Sequence, residues 1–256
     1  PNLNFGFTET VYWARFEVDS PTTPQPQDIF LEIGYPLLDD IRVYLLQEGQ
    51  LLREFQLGAS QPFAERLVRH ANFLIPLEVS PQKLQILLRV KSQSSMQIPL
   101  LLWEKNAFVE QTYAEATAFG FFYGTVLIIA VYNLLVFVSV REPGFLLFFL
   151  YASGIVMVEA ALRGAAFAFV WPDAVDWVDR SIVVGIAACV LFGCLFTDNV
   201  LLVRQTRPRT SLWLRIVAGS AVISMAGAFL LPYKVMILVS LLVAGASSVI
   251  NPLAHV

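Results

Sequence analysis

Residues 116–140 form a run of 25 residues without a charged side chain. A helix rises about 1.5 Å per residue, so such a run crosses a hydrocarbon core of about 30 Å. Inside that core no water is available to bond backbone N–H and C=O groups, and a single apolar run satisfies them only as a helix. Four more runs of sufficient length follow, at 145–171, 181–203, 212–231 and 235–255. Charge enters them sparingly, as Glu159 and Arg163 in the second, Asp198 in the third and Arg215 in the fourth. Residues 114–256 are therefore predicted to be a polytopic transmembrane helix bundle with five spans.

The first 113 residues obey a different rule. They hold 13 of the 20 acidic and 9 of the 17 basic residues, so the low charged fraction of 14% conceals an ordinary polar domain joined to an apolar one. Apolar residues there recur with period two: Ile29, Leu31, Ile33; Ile41, Val43, Leu45; Phe73, Ile75, Leu77, Val79; Leu84, Ile86, Leu88, Val90; Met96, Ile98, Leu100, Leu102. Alternate side chains of a strand point to opposite faces, so each set marks one buried face. Turn residues separate the sets, at 20–26, Tyr35-Pro36, Glu48-Gly49, 58–62 and Ser80-Pro81. Six or seven short strands at this spacing predict a jelly-roll β-sandwich. The fold class expected is multi-domain, β plus membrane α, with residues 1–113 forming the sandwich.

Lysine and arginine favour the cytoplasmic side of a span. Arg141 follows the first run, and Arg204, Arg207 and Arg209 follow the third, with Arg215 just beyond. The loop after the second run holds Asp173, Asp176 and Asp179 with Arg180, and the one after the fourth holds Lys234. This pattern puts the β-domain outside and the arginine-rich loop inside. A net charge of −3 leaves no basic footprint for nucleic acid.

Candidate functional residues fall into two groups. In the β-domain, Trp13, Arg15, Tyr35, Tyr44, Arg66 and Arg69 combine aromatic rings, which stack on flat or sugar rings, with guanidinium forks, which grip carboxylates. Each also suits a packing or solvated role. In the spans, Asn133, Glu159, Arg163, Asp198 and Asn199 are polar residues in an apolar setting, where function is the default hypothesis. Glu159 and Arg163 stand four apart, acid first, the spacing of a helical ion pair. Gly120 and Gly124 make a small-xxx-small pair that suits close helix approach and leaves a homodimer open. Cys189 and Cys194 project to different helix faces, so a disulfide between them is not expected. His70 and His255 lack ligand spacing, and neither a metal nor another cofactor is expected. The chain stops within an uncharged run, so truncation at its C-terminus is expected; its start at Pro1 rather than Met leaves a removed or lost export signal open.

The order of these parts resembles the bacterial seven-transmembrane receptors with diverse intracellular signalling modules, in the branch with the second type of extracellular sensory domain. The likeness lies in YWARFEV, LEIGYPLLDDIRVYLLQEG, QPFAERLVRHANFLIPLEV and LLRVKSQSSMQIPLLLWE. In the second half it lies in FFYGTVLIIAVYNLLVFVSVREPGFLLFFLYASG and RGAAFAFVWPDAVDW. The resemblance implies a periplasmic jelly roll similar to carbohydrate-binding modules. It also implies a seven-helix bundle in the bacterial inner membrane and a cytoplasmic output, typically a histidine kinase or diguanylate cyclase. Five spans and no output module are visible here. The expected function is a signal-transduction receptor, and its partners are the lipid bilayer, a small-molecule or carbohydrate ligand and a downstream signalling module. The alternative is a membrane transporter, although no repeat relates the spans. The spans hold no paired histidines, no metal-ligand cluster and no serine placed with a histidine base, so the chain is not expected to be an enzyme.

Overall fold

The computed structural model describes residues 2–8, 10–18, 27–79 and 83–253. The expected turns at 20–26 and Ser80-Pro81, and His255, lie outside them. Eight strands come first: β1 (Asn2–Phe7), β2 (Tyr12–Val18), β3 (Gln27–Ile33), β4 (Asp40–Gln47), β5 (Gln50–Leu57), β6 (Phe73–Val79), β7 (Leu84–Lys91) and β8 (Ser95–Glu104). A single 3-10 turn, Phe63–Glu65, lies between β5 and β6. The helices are α1 (Lys105–Val140), α2 (Pro143–Leu162), α3 (Ala165–Phe169), α4 (Val175–Val200), α5 (Val203–Thr206), α6 (Pro208–Leu230) and α7 (Tyr233–Leu253). Five of them, α1, α2, α4, α6 and α7, are long and apolar enough to cross a membrane.

The strands form two antiparallel sheets, ordered β1-β8-β3-β6 and β2-β7-β4-β5. Between them lies a core of Leu31, Ile33, Ile41, Val43, Leu45, Phe73, Ile75, Leu77, Leu84, Ile86, Leu88, Val90, Met96 and Ile98, fourteen of the eighteen period-two residues; Ile29 and Leu100 are partly buried against it, and Leu102 is exposed. The β-sandwich is thus as predicted, with eight strands rather than the six or seven expected, and three of the eight carry none of the alternating sets. One is β5, an edge strand exposed at five successive positions, where alternation has no burial to reflect. Gly58 ends it with φ 146, and a Cβ there would fall 1.9 Å from the Asp39 carbonyl oxygen, so only glycine fits this return.

The chain divides into two compact units, Pro1–Ala116 with Leu162–Val178, and Thr117–Ala161 with Asp179–Val256. No loop separates β8 from α1. The 36 residues of α1 span about 54 Å, more than a bilayer core requires. Its polar first turns, with Lys105, Glu110 and Glu115, belong to the β-unit, and its apolar remainder to the helical one. The expected span over 145–171 is divided: α2 ends at Leu162, Gly164 takes φ 72, and α3 follows as a short separate helix. A left-handed residue cannot continue an α-helix, so the break falls at the glycine.

Within the helical unit, small residues let α2 and α4 approach. A Cβ on Gly154 would lie 3.0 Å from Cys189 Sγ, and one on Gly185 2.7 Å from Val158. Ser224 and Ser240 join α6 to α7 through a 2.8 Å hydrogen bond between their hydroxyls.

Candidate functional site

The sheet β2-β7-β4-β5 turns Ile86, Leu88 and Val90 of β7, and Ile41, Val43 and Leu45 of β4, into the core. By alternation Leu87, Arg89, Arg42 and Tyr44 face outward, and on β2 Trp13, Arg15 and Glu17 do the same. Register then arranges them in rows. Trp13 lies opposite Arg89, which lies opposite Arg42; Arg15 lies opposite Leu87, which lies opposite Tyr44, itself opposite Glu54. Trp13 and Tyr44 meet over β7, with ring centroids 6.2 Å apart and planes 18° from parallel. Trp13 is 56% exposed, an unusual state for an indole in an otherwise well-buried domain.

Guanidinium groups flank this aromatic platform. Arg89 Nη1 donates to Asp40 Oδ2 at 2.6 Å. Arg42 shares the same carboxylate at 3.8 Å, and its Nε is buried without a hydrogen-bond partner among the described residues. Two arginines directly opposite one another repel, so one carboxylate between them leaves positive potential unspent. Arg15, exposed, takes no hydrogen bond or ion pair among the described residues. At the far end of the same face a cleft of about 380 Å³ is lined by Glu17, Glu48, Gly49, Lys83 and Gln85. The face therefore offers a flat ring surface, an open guanidinium and a polar cleft in sequence along one sheet.

Of the six candidates in the β-domain, the structure brings together Trp13, Arg15 and Tyr44. Tyr35 packs against the sandwich core, and Arg69 is exposed in the loop before β6. Arg66 is held elsewhere: its guanidinium carbon lies 4.8 Å from the Phe63 ring centroid and 4.3 Å from that of Phe73, and burial lowers its pKa to about 10. Arg42, Asp40 and Arg89 join the platform although sequence reasoning did not select them. Arg42 precedes Tyr44 by two residues on one strand, which was the available signal; Arg89 needed the sheet order.

The other sheet is different on its outer side. Glu32, 7% exposed, accepts hydrogen bonds from Asn72 Nδ2 and Trp103 Nε1, both at 2.5 Å. Phe108, in the first turn of α1, packs on Phe30, Trp103 and His70 with centroid separations of 5.5, 6.3 and 5.2 Å. Burial lowers the His70 pKa, with the Glu32 charge pulling the other way. His70 Nδ1 accepts the Asn72 amide N–H at 3.1 Å, a bond open only to the unprotonated nitrogen.

Among the span candidates, Asp198 accepts from Nε and Nη2 of Arg215, each at 3.1 Å, and its Oδ1 is buried without a hydrogen-bond partner among the described residues. Asn199 Oδ1 abuts Gly144, where an added Cβ would come within 3.1 Å. A cleft of about 340 Å³ borders Asp198, Asn199, Arg204, Gln205 and Arg215. Asn133 donates to the Ile129 carbonyl of its own helix at 2.8 Å. Glu159 occupies the last turn of α2, and Arg163 is the residue that follows its end.

A two-sheet sandwich continuing without a loop into helices long and apolar enough to span a membrane defines a multi-pass membrane protein. The model of the 7TM diverse intracellular signalling family matches residues 115–255, and that of the domain 7TMR-DISM extracellular 2 matches residues 1–104. The chain belongs to the 7TM diverse intracellular signalling family. A comparison with curated proteins gives no match.

Proposed function

We propose that this receptor binds a ring-bearing small molecule, a carbohydrate with an acidic group foremost, on the outer face of β2-β7-β4-β5. The observation that carries the reading is the exposed, near-parallel Trp13–Tyr44 pair beside Arg15. A sugar ring lies flat on such a platform, and a guanidinium fork takes a carboxylate in two parallel hydrogen bonds. The strand order, in which each sheet is filled from both halves of the domain, supports the jelly-roll reading and a likeness to carbohydrate-binding modules. The arginines after the first and third spans favour a periplasmic sandwich in a bacterial inner membrane. Ligand binding then shifts a two-state equilibrium of the helices, to the extent that the ligand prefers one state. The change passes to a cytoplasmic output module, and this chain itself catalyses nothing. Family membership favours this over transport.

The test is titration of the whole chain in lipid nanodiscs with a panel of neutral and uronic-acid-bearing oligosaccharides, following tryptophan fluorescence and heat. Saturable binding that Trp13→Ala weakens at least tenfold is expected, with Arg15→Ala affecting the acidic sugars alone. Binding that survives Trp13→Ala and Tyr44→Ala unchanged would place the ligand elsewhere.

A further inference from the structure

The loop of residues 63–72 touches two segments that lead directly into membrane helices. One is the connector between α2 and α4. The Phe63 amide donates to the Pro172 carbonyl at 3.0 Å, and the Phe63 ring meets Phe167 edge-on at 5.7 Å. Phe167 is 2% exposed although it belongs to a five-residue helix. Gly164, at φ 72, lets the connector approach: a Cβ there would lie 2.8 Å from Pro36 Cβ and 3.2 Å from the Ala71 carbonyl oxygen. The other segment is the base of α1, where His70 packs on Phe108.

Arg66 joins the two. Its guanidinium lies over the rings of Phe63, Phe73 and Phe167, at 4.8, 4.3 and 5.7 Å. Its Nη1 donates to the carbonyl of His70 at 2.9 Å and to that of Ala71. The same planar group thus contacts the connector with one face and fixes, with its edge, the backbone that carries the His70 ring. Nε and Nη2 are buried with no hydrogen-bond partner among the described residues. A buried cation held by rings and two carbonyls is a costly way to fill space, since an apolar side chain of that volume packs without desolvation loss. What an apolar chain lacks is the directional link to the carbonyls.

We infer that Arg66 is a coupling residue, which ties the α2–α4 connector and the base of α1 to one loop of the sandwich so that both shift together. The inference rests on the receptor reading for its purpose but not for its test, which uses no ligand. Hydrogen exchange is measured by mass spectrometry on the whole chain in nanodiscs. Phe167→Leu trims the connector side alone. Faster exchange, by about fivefold or more, is expected in residues 164–171, in 68–72 and in 105–112, with 12–17 and 85–90 unchanged. The reciprocal variant, Phe108→Leu, is expected to accelerate 164–171 as well as 105–112. Acceleration confined to the mutated segment in both variants overturns the coupling. Arg66→Met separates linkage from packing: accelerated exchange at both 105–112 and 164–171 supports the inference, and wild-type rates at both reduce Arg66 to a packing residue. Failure of the sugar titration together with reciprocal acceleration would reject the ligand and keep the coupling.

Discussion

The two outer faces of the sandwich share one core and differ in nearly everything else. The face of β2-β7-β4-β5 presents Trp13, Tyr44 and arginines to solvent. The face of β1-β8-β3-β6 buries a carboxylate, Glu32, beneath Asn72 and Trp103 and meets the base of α1 through Phe108. An antiparallel sheet needs only one buried face, so the second is free to be specialised. Here one second face stays open to solvent and the other packs against the base of α1.

The comparison is broken most severely by damaging what both faces share. Ile86 is fully buried between the sheets, and Ile86→Ala is expected to cost about 3 kcal/mol. Chemical denaturation of the whole chain in nanodiscs should show the sandwich signals at both faces lost in one shifted transition. Two separate transitions would mean that the faces are supported independently.

Damage to the anchored face comes next. Glu32→Leu leaves the Asn72 amide and the Trp103 indole N–H without their acceptor, an expected cost of about 2 kcal/mol. Binding at the open face should keep its affinity within about a factor of two, because no Glu32 contact reaches Trp13. Trp13→Ala should do the reverse. It is expected to weaken ligand binding about tenfold, which is about 1.4 kcal/mol, while stability stays within about 0.5 kcal/mol of wild type. A large loss of stability on Trp13→Ala would make the stacked pair a structural feature rather than a platform.

The smallest effect is one of pH. His70 has its pKa lowered by burial, so the folded chain binds fewer protons there than the unfolded chain. Its contribution to stability is complete above the ordinary value of about 6.5 and declines as pH falls from there toward the folded value. Protonation would also break the bond from the Asn72 amide to Nδ1. Between pH 7 and 5, wild type should therefore lose more stability than His70→Gln, measured by the difference in denaturation midpoint. Equal losses would show that His70 titrates no differently when folded.

How legible all this was depends on distance along the chain. Ile29, Leu31 and Ile33 announce an inward face because burial on a strand repeats every two residues, and the spans announce themselves because a bilayer demands unbroken apolar length. Edge strand β5 escaped, since it has little burial to imprint on its sequence. Trp13, Arg15 and Tyr44 were recognisable as residue types able to hold a ligand, but so were Tyr35, Arg66 and Arg69, and nothing local separates the two sets. Asp198 was visible as an acid in an apolar helix, while its partner Arg215 lies 17 residues away on another helix.

The sequence by itself determined the two kinds of territory, a sandwich and a membrane domain, because each is written in short-range periodicity and hydropathy. Tertiary structure alone decided which candidates meet. Trp13 reaches Tyr44 only because β7, formed some 40 residues after β4, inserts between β2 and β4. Arg66 reaches Phe167 only because a connector about 100 residues later returns to the sandwich at Gly164. Such contacts come from long-range pairing and chain return, which no local pattern encodes.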